Sequence, residues 1–157
     1  MRALKLVQHM KANADRMSEG FVQKTRTSDK CKELLSAVSP EEQKRTALDI
    51  YADLTDCLAA DTDSFVPEHY IDLGMRRAQQ GVPLTQLFWV VCTVREHLWE
   101  YIQQECLLDE PVEFWGGVNL LRSLNQFFDR VVYYTMAGYQ KASPGEFAAA
   151  PLASGQR

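Results

Sequence analysis

Three polar residues interrupt apolar helical stripes in the second half of the chain and are its first candidates for chemistry. Arg95 and Asn125 each lie inside such a stripe, and Asp129 follows Asn125 by one helical turn. A buried polar group costs free energy unless it is paired. We favour a pairing of Arg95 with Asp129 or Asn125 that fixes the register of two helices, since polar pairs in cores commonly have this role. The alternative is a cavity for a small polar or anionic ligand.

The histidines are candidates for binding a cofactor. His9, His69 and His97 fall on different predicted helices, and each is in principle an axial ligand for haem. Aromatic neighbours make His69 and His97 the better candidates, although a lone histidine on a helix is more often a satisfied polar residue. We therefore expect no cofactor, with haem as the alternative. The candidate ligand-binding residues are Arg95, Asn125, Asp129, His97 and Trp99.

Patterns that support catalysis or metal binding are missing from the sequence. It contains no G-x-S-x-G nucleophile motif, no glycine-rich phosphate loop and no Glu-x-x-His motif of a di-iron bundle. Its four cysteines are widely spaced, without a C-x-x-C pair or clustered histidines, which argues against a zinc site or a disulfide scaffold. We predict that the chain is not an enzyme and has neither catalytic residues nor a metal site.

Trp89 is an aromatic residue on a polar helical face. It shares this face with Thr93, Glu96 and Glu100, whereas most other aromatic residues of the last two helices fit apolar stripes. An exposed tryptophan among polar side chains is typical of a protein interface. We interpret Trp89 as a contact between two copies of the chain and expect a homodimer.

Helical periodicity runs through nearly the whole sequence and predicts the elements that carry these residues. A first amphipathic helix starts at Ala3 and is expected to weaken near Gly20. Ser28 is predicted to cap a short helix that ends at Leu35. The run 39–42, Ser-Pro-Glu-Glu, is a stronger start signal, with a capping hydroxyl, a proline in the first turn and a glutamate at the third position.

Two long helices follow a shorter one that is predicted over residues 66–80. Each long helix carries two apolar seams with 3-4 spacing, so we expect each to be buried on two sides. The seams of the first are Leu84, Leu87, Val91, Val94, Leu98 and Tyr101, and Phe88, Cys92, Trp99, Ile102 and Cys106. Those of the second are Phe114, Val118, Leu121, Phe128 and Val132, and Leu120, Leu124, Phe127, Val131 and Tyr134. The short joint at 108–111 predicts an antiparallel pair at the centre of an all-α fold, a four-helix-bundle core with one or two additional short helices.

Length and composition favour one helical domain over residues 1–141, followed by a flexible linker or tail over 142–157 that is rich in small residues. The first 45 residues carry ten Lys/Arg against six Asp/Glu, and the remainder carry seven against fifteen. This distribution lacks the dense basic face that nucleic-acid binding needs, so nucleic acid is not an expected partner. No export signal and no apolar run long enough to span a membrane are visible, so we expect a cytoplasmic location.

Three stretches of the second half resemble the RsbRD N-terminal domain family. They read RRAQQGVPL at 76–84, VREHLW at 94–99 and NQFFDR at 125–130. The family is the input domain of the RsbT co-antagonists, and the resemblance covers most of residues 1–141. It implies a helical sensory module ahead of an output domain, such as a STAS domain or a histidine kinase, in bacterial stress and two-component signalling. It carries no ligand or catalytic residue onto particular positions of this chain.

The sequence therefore predicts a regulatory input domain that transmits a signal through its last helix to an output domain or a partner protein. Two alternatives stay open. One is a sensor that binds haem or another small ligand, and the other is a dimerisation or protein-interaction module without a ligand.

Overall fold

The computed structural model describes residues 2–60, 63–105 and 114–143. These ranges contain six α-helices and no strand, so the all-α fold predicted from periodicity is confirmed. The helices are α1 (Arg2–Thr27), α2 (Lys32–Ala37), α3 (Pro40–Ala59), α4 (Pro67–Gln79), α5 (Leu84–Gln104) and α6 (Phe114–Ala142). Within the same ranges, no helix combines the length and the apolar character that a membrane span requires.

The limits of α3 and α4 follow from local signals in the sequence. The Oγ of Ser39 accepts a hydrogen bond from the backbone N–H of Glu42 at 3.2 Å, and Pro40 occupies the first turn of α3. Pro67 begins α4, and Gly81 follows its end with a φ of 78°, in the left-handed region that favours glycine. Both helices lie within a residue or two of their predicted positions.

The first two helices differ from the prediction. α1 runs through Gly20 to Thr27 without a break. α2 begins at Lys32, so the predicted cap at Ser28 is wrong. The Oγ of Ser28 instead accepts a hydrogen bond from the backbone N–H of Lys30 at 3.2 Å, which stabilises a tight turn between the two helices.

The most extensive packing between helices joins α4 to α6. A Cβ at Gly74 of α4 would lie 2.7 Å from the backbone nitrogen of Tyr139, and a Cβ at Gly138 of α6 would lie 2.7 Å from the carbonyl carbon of Ile71. Side chains do not fit at such distances, so glycine at both positions is what allows the two backbones to touch.

The remaining helices close the core around this pair. α1 packs along α3, and α5 lies against α1 and α6. The buried Tyr51 of α3 donates from its hydroxyl to the carbonyl oxygen of Val94 in α5 at 3.2 Å. The Tyr139 hydroxyl donates to the carbonyl oxygen of Val82 at 2.8 Å, which ties the end of α6 to the turn that precedes α5.

α5 and α6 are each buried along most of one seam, whereas the other seam is buried only in part, at Ile102 and at Phe128. The seam of α5 that contains Val94 and the seam of α6 that contains Leu124 are buried, as predicted. The other seams are partly open: Phe88 retains 45% of its accessible surface and Val118 retains 39%. The expectation that these two helices form a doubly buried centre is therefore wrong, because the most extensive contacts join α4 to α6 and α1 to α3.

Some predictions fall on other parts of the chain. Cys106, the side chain of Phe114, the joint at 108–111 and residues 144–157 of the predicted linker or tail lie outside the described residues. α6 ends at Ala142, one residue beyond the predicted end of the helical domain.

Candidate functional site

The polar core pair predicted between α5 and α6 is not formed. Asn125 and Asp129 are exposed on α6, on the side that faces away from α4. Arg95 is half-buried on α5, and its Nη2 lies 4.0 Å from the Sγ of Cys92. The sequence identified the interrupted seams correctly but assigned them to the interior, whereas α6 buries its other seam.

His97 lies between α5 and α1. A Cβ at Gly20 would lie 2.7 Å from the Nε2 of His97, so the glycine makes room for the imidazole. The Nδ1 of His97 is buried and has no hydrogen-bond partner in the described part of the chain. Burial and the charge of Lys24 lower the pKa of His97, against the opposing effects of Glu100 and a hydrogen bond with the Met17 backbone.

The candidate ligand residues therefore do not converge on one cavity. His97 points towards α1, whereas Trp99 is half-buried against the core and Arg95 approaches Cys92. Asn125 and Asp129 belong to the outer side of a different helix. Their role in ligand binding stays a prediction.

An open groove of about 470 Å³ lies on the outer side of α5, next to the end of α1. Its lining is formed by Lys24, Ser28, Trp89, Cys92, Thr93, Arg95, Glu96 and Glu100. Lys24 forms an ion pair with Glu100 across the two helices. Trp89 is 38% exposed, and the Nζ of Lys30 lies 4.0 Å from the centre of its ring. The chain itself thus supplies a cation–π partner for Trp89.

The most buried charge in the described residues was not anticipated from the sequence. Arg77 of α4 is 3% exposed and donates from Nη1 to the Oε1 of Glu42 at 2.6 Å and from Nη2 to the Oγ1 of Thr46 at 2.8 Å. Gln80 completes the network, because its Oε1 accepts from Arg77 Nη1 at 2.9 Å and its Nε2 donates to Glu42 at 3.2 Å. Partial burial opposes ionisation of Glu42, yet the hydrogen bond and charge of Arg77 hold its pKa below the ordinary value.

This network clamps α4 to the start of α3. Arg77 lies in the stretch at 76–84 that resembles the family, but nothing in this stretch predicts its burial. Two basic residues in the last turn of a helix are normally exposed to solvent. Periodicity alone would therefore not predict that Arg77 is buried.

A second cleft, of about 410 Å³, lies between α3 and α4. The hydroxyl of Tyr70 donates to the Oδ2 of Asp53 at 2.7 Å, and the Nδ1 of His69 lies 3.5 Å from the same oxygen. Burial, followed by the hydrogen bond to Asp53, raises the pKa of Tyr70. His69 and His97, the two haem candidates, therefore lie at separate places, and the described residues contain no cluster of three metal-ligating side chains.

Comparison with known proteins gives one match. Residues 14–147 match the family described as the RsbT co-antagonist protein rsbRD N-terminal domain. No curated protein and no solved structure matches the chain. The match includes all of α2 to α6 and the second half of α1.

Proposed function

Because the chain belongs to the RsbRD N-terminal domain family, a family of regulatory input domains in stress signalling, we propose that it senses or relays a signal without catalysis. We further propose that the signal leaves through α6 to a STAS domain, a histidine kinase or a separate partner protein, in the cytoplasm. The observation that carries this proposal is the backbone contact between α4 and α6.

The contact couples the two helices rigidly. Gly74 and Gly138 bring backbone against backbone, so α4 cannot shift without moving α6 or losing the contact. One helical turn after Gly74, α4 is also held to α3 by the Arg77–Glu42 ion pair. A change at α3 or α4 therefore has a mechanical route into α6, whose last turn leads towards residue 143 and beyond.

Insertions that rotate the end of α6 test this route. Residues 1–142 are joined directly to the first helix of a histidine-kinase output domain, so that no predicted linker residue intervenes, and one to four alanines are inserted after Lys141. Each added residue turns the output domain by about 100° relative to α6. We expect autophosphorylation to vary with the number of residues and to return towards its starting level near four. The same insertions between Asp63 and Ser64, in the loop before α4, are the control. Equal output from all α6 insertions would contradict transmission through the helix.

A ligand sensor is the second candidate, and the unpartnered Nδ1 of His97 favours it. A small molecule that reaches His97 would change the α1–α5 contact directly. Native mass spectrometry and the visible absorption spectrum of the purified protein test this candidate together. A retained mass that is lost in a His97→Ala variant would support it, whereas an apo protein with no band would count against it.

We also propose that the chain forms a homodimer, but the structure gives less support to Trp89 as the contact between the two copies. Trp89 was interpreted as the contact between copies, and its ring is covered in part by Lys30. The partly open seams of α5 and α6 offer a larger apolar surface.

A further inference from the structure

A small cavity of about 20 Å³ lies inside the domain, where five helices meet. Each of α1 to α5 contributes to its walls, which are mostly aliphatic side chains such as Val91 and Val94 of α5. Three polar residues also line the cavity: Gln43 and Thr46 of α3 and Arg77 of α4. Gln43 and Arg77 are each only 3% exposed. The cavity therefore combines an apolar wall with polar groups that are shielded from bulk solvent.

Gln43 carries a hydrogen-bond acceptor that the described part of the chain does not satisfy. Its Nε2 donates to the carbonyl oxygen of Val38 at 3.0 Å, whereas its Oε1 is buried and has no partner there. A carbonyl oxygen can only accept, so the contact with Val38 requires the nitrogen of the amide on that side and leaves the oxygen as the unpaired atom. A buried acceptor without a donor lowers stability. A ligand that donates to Gln43 would remove this cost.

Arg77 offers donors at the same cavity. A guanidinium has five N–H groups. The contacts within the described residues use two from Nη1, to Glu42 and Gln80, and one from Nη2, to Thr46. A ligand between Gln43 and Arg77 must therefore donate to the first and accept from the second. A neutral hydroxyl does both, whereas an ammonium only donates and a carboxylate only accepts. Glu42 already neutralises Arg77, so a charged ligand would stay uncompensated.

We propose that the cavity binds one internal water molecule, which donates to the Oε1 of Gln43 and accepts from Arg77. Size selects water among neutral hydroxyl compounds. The cavity of about 20 Å³ exceeds the roughly 10 to 15 Å³ that one water needs, and it leaves no space for a carbon chain. The polar side chains at the cavity also provide the two or more partners that a buried water normally has.

The water joins α3 to α4 at a second place, beside the ion pair of Arg77 and Glu42. Thr46 is the one half-buried residue of the cavity wall, and it bonds to Arg77. The shortest way out of the cavity therefore passes this ion pair, and the water leaves when α4 separates from α3. Its residence time measures the motion that the proposed route into α6 requires. This consequence rests on the proposed function, whereas the water site itself does not.

Magnetisation transfer between water and the methyl groups of the full chain tests the site by NMR. We expect cross-peaks from the buried methyls of Val91 and Val94 to the water resonance, with opposite signs in the NOE and ROE spectra, which is the signature of a bound water. Val91→Leu adds a methylene at the cavity wall and should reduce the Val94 cross-peak at least tenfold. Val132→Leu, on α6 and away from the cavity, is the matched control and should leave it unchanged.

Magnetic relaxation dispersion of the water oxygen measures the residence time. Glu42→Gln weakens the ion pair with Arg77 but does not alter the cavity wall, and we expect it to shorten the residence time at least tenfold. Glu41→Gln, at an exposed neighbour, should not change it. Equal residence times in Glu42→Gln and the wild type would show that the water does not leave past the ion pair.

Three results would overturn the water site. A wild type without these cross-peaks has a dry cavity, cross-peaks that persist in Val91→Leu come from a water elsewhere, and cross-peaks to another resonance identify a different ligand. If circular dichroism shows that Val91→Leu does not fold, Gln43→Met removes the acceptor at a similar side-chain length and should abolish the Val94 cross-peak. None of these results changes the outcome of the alanine insertions, so the water site and transmission through α6 fail separately.

Discussion

Two helix pairs of this domain meet through glycine, but the glycines make room for different neighbours. In the α4–α6 pair, Gly74 and Gly138 face backbone atoms of the opposite helix. In the α1–α5 pair, Gly20 faces the imidazole of His97. A backbone cannot yield locally, whereas a side chain can change rotamer. The first contact is therefore a fixed joint and the second an adjustable one.

The largest expected effect comes from filling the fixed joint. Gly74→Ala places a methyl group against the backbone at Thr135 and Tyr139, and we expect a loss of more than about 4 kcal/mol in the free energy of unfolding. Urea denaturation measures it. Gly81→Ala is the control, because no atom lies within 4 Å of its Cβ position and the cost is only that of the left-handed φ, about 1 to 2 kcal/mol. Equal losses of stability at Gly74 and Gly81 would show that the backbone contact at Gly74 does not restrict the side chain there.

Removing the clamp that anchors the fixed joint should cost less. Arg77→Met removes the buried cation of Glu42 and leaves only the exposed Arg76, whose Nε lies 3.6 Å from the Glu42 Oε1. We expect a loss of roughly 2 to 3 kcal/mol, below the usual figure for a buried pair because Glu42 is about a third exposed. Arg76→Met, at a mostly exposed side chain, should change the free energy of unfolding by less than about 0.5 kcal/mol. A larger effect at Arg76 than at Arg77 would show that burial of the guanidinium is not what stabilises α4.

Filling the adjustable joint should cost about 1 to 2 kcal/mol and be recoverable. Gly20→Ala forces the His97 ring to move, and a second change, His97→Ala, removes the obstacle. We expect the double variant to lose less than the sum of the single losses in urea denaturation. By contrast, Thr135→Ala should not rescue Gly74→Ala, because the obstructing atoms there belong to the backbone. Rescue in both cases would mean that the two joints are alike.

The smallest effect is a pH dependence confined to the adjustable joint. The pKa of His97 is lowered in the folded protein, so the unfolded chain binds more protons once the pH falls below about 6.5. The contribution of the neutral His97 to the free energy of unfolding is fully present above that pH. It decreases as the pH falls, until the pH is below the lowered pKa of His97 in the folded protein. Denaturation curves between pH 8 and 5 should show this decline in the wild type and not in His97→Asn. A persistent decline in the variant would assign the effect to other groups.

The sequence predicted the helices more accurately than it predicted which helices pack against each other. Ser39 and Pro40 define the start of α3 through local chemistry, and Gly81 marks the end of α4 in the same way. The seams of α5 and α6 were also identified, but a seam shows only which residues can be buried. Which of two seams a neighbouring helix covers depends on the packing of the whole domain, and so Asn125 and Asp129 were wrongly assigned to the core.

Gly20 and the buried Arg77 also show that the sequence does not predict contacts between distant residues. Gly20 looked like a weak point of α1, since glycine has a low helix propensity, whereas the structure uses it to admit His97. Nothing in the sequence indicated that Arg77 is buried, because its partners, Glu42 and Thr46, are more than 30 residues away in the chain. Residues whose role depends on distant contacts give no local signal.

The position of Gly138 near the end of α6 has a mechanical consequence. From Phe114 to Gly138 the helix spans 24 residues, about 36 Å, and from Gly138 to Ala142 it spans four, about 6 Å. If α6 pivots where it touches α4, a sideways swing of its first turn reaches its last turn reduced about sixfold. Rotation about the helix axis is not reduced at all. A sideways displacement of α6 would therefore reach Ala142 much reduced, whereas a rotation of α6 that carries α4 with it would reach Ala142 in full.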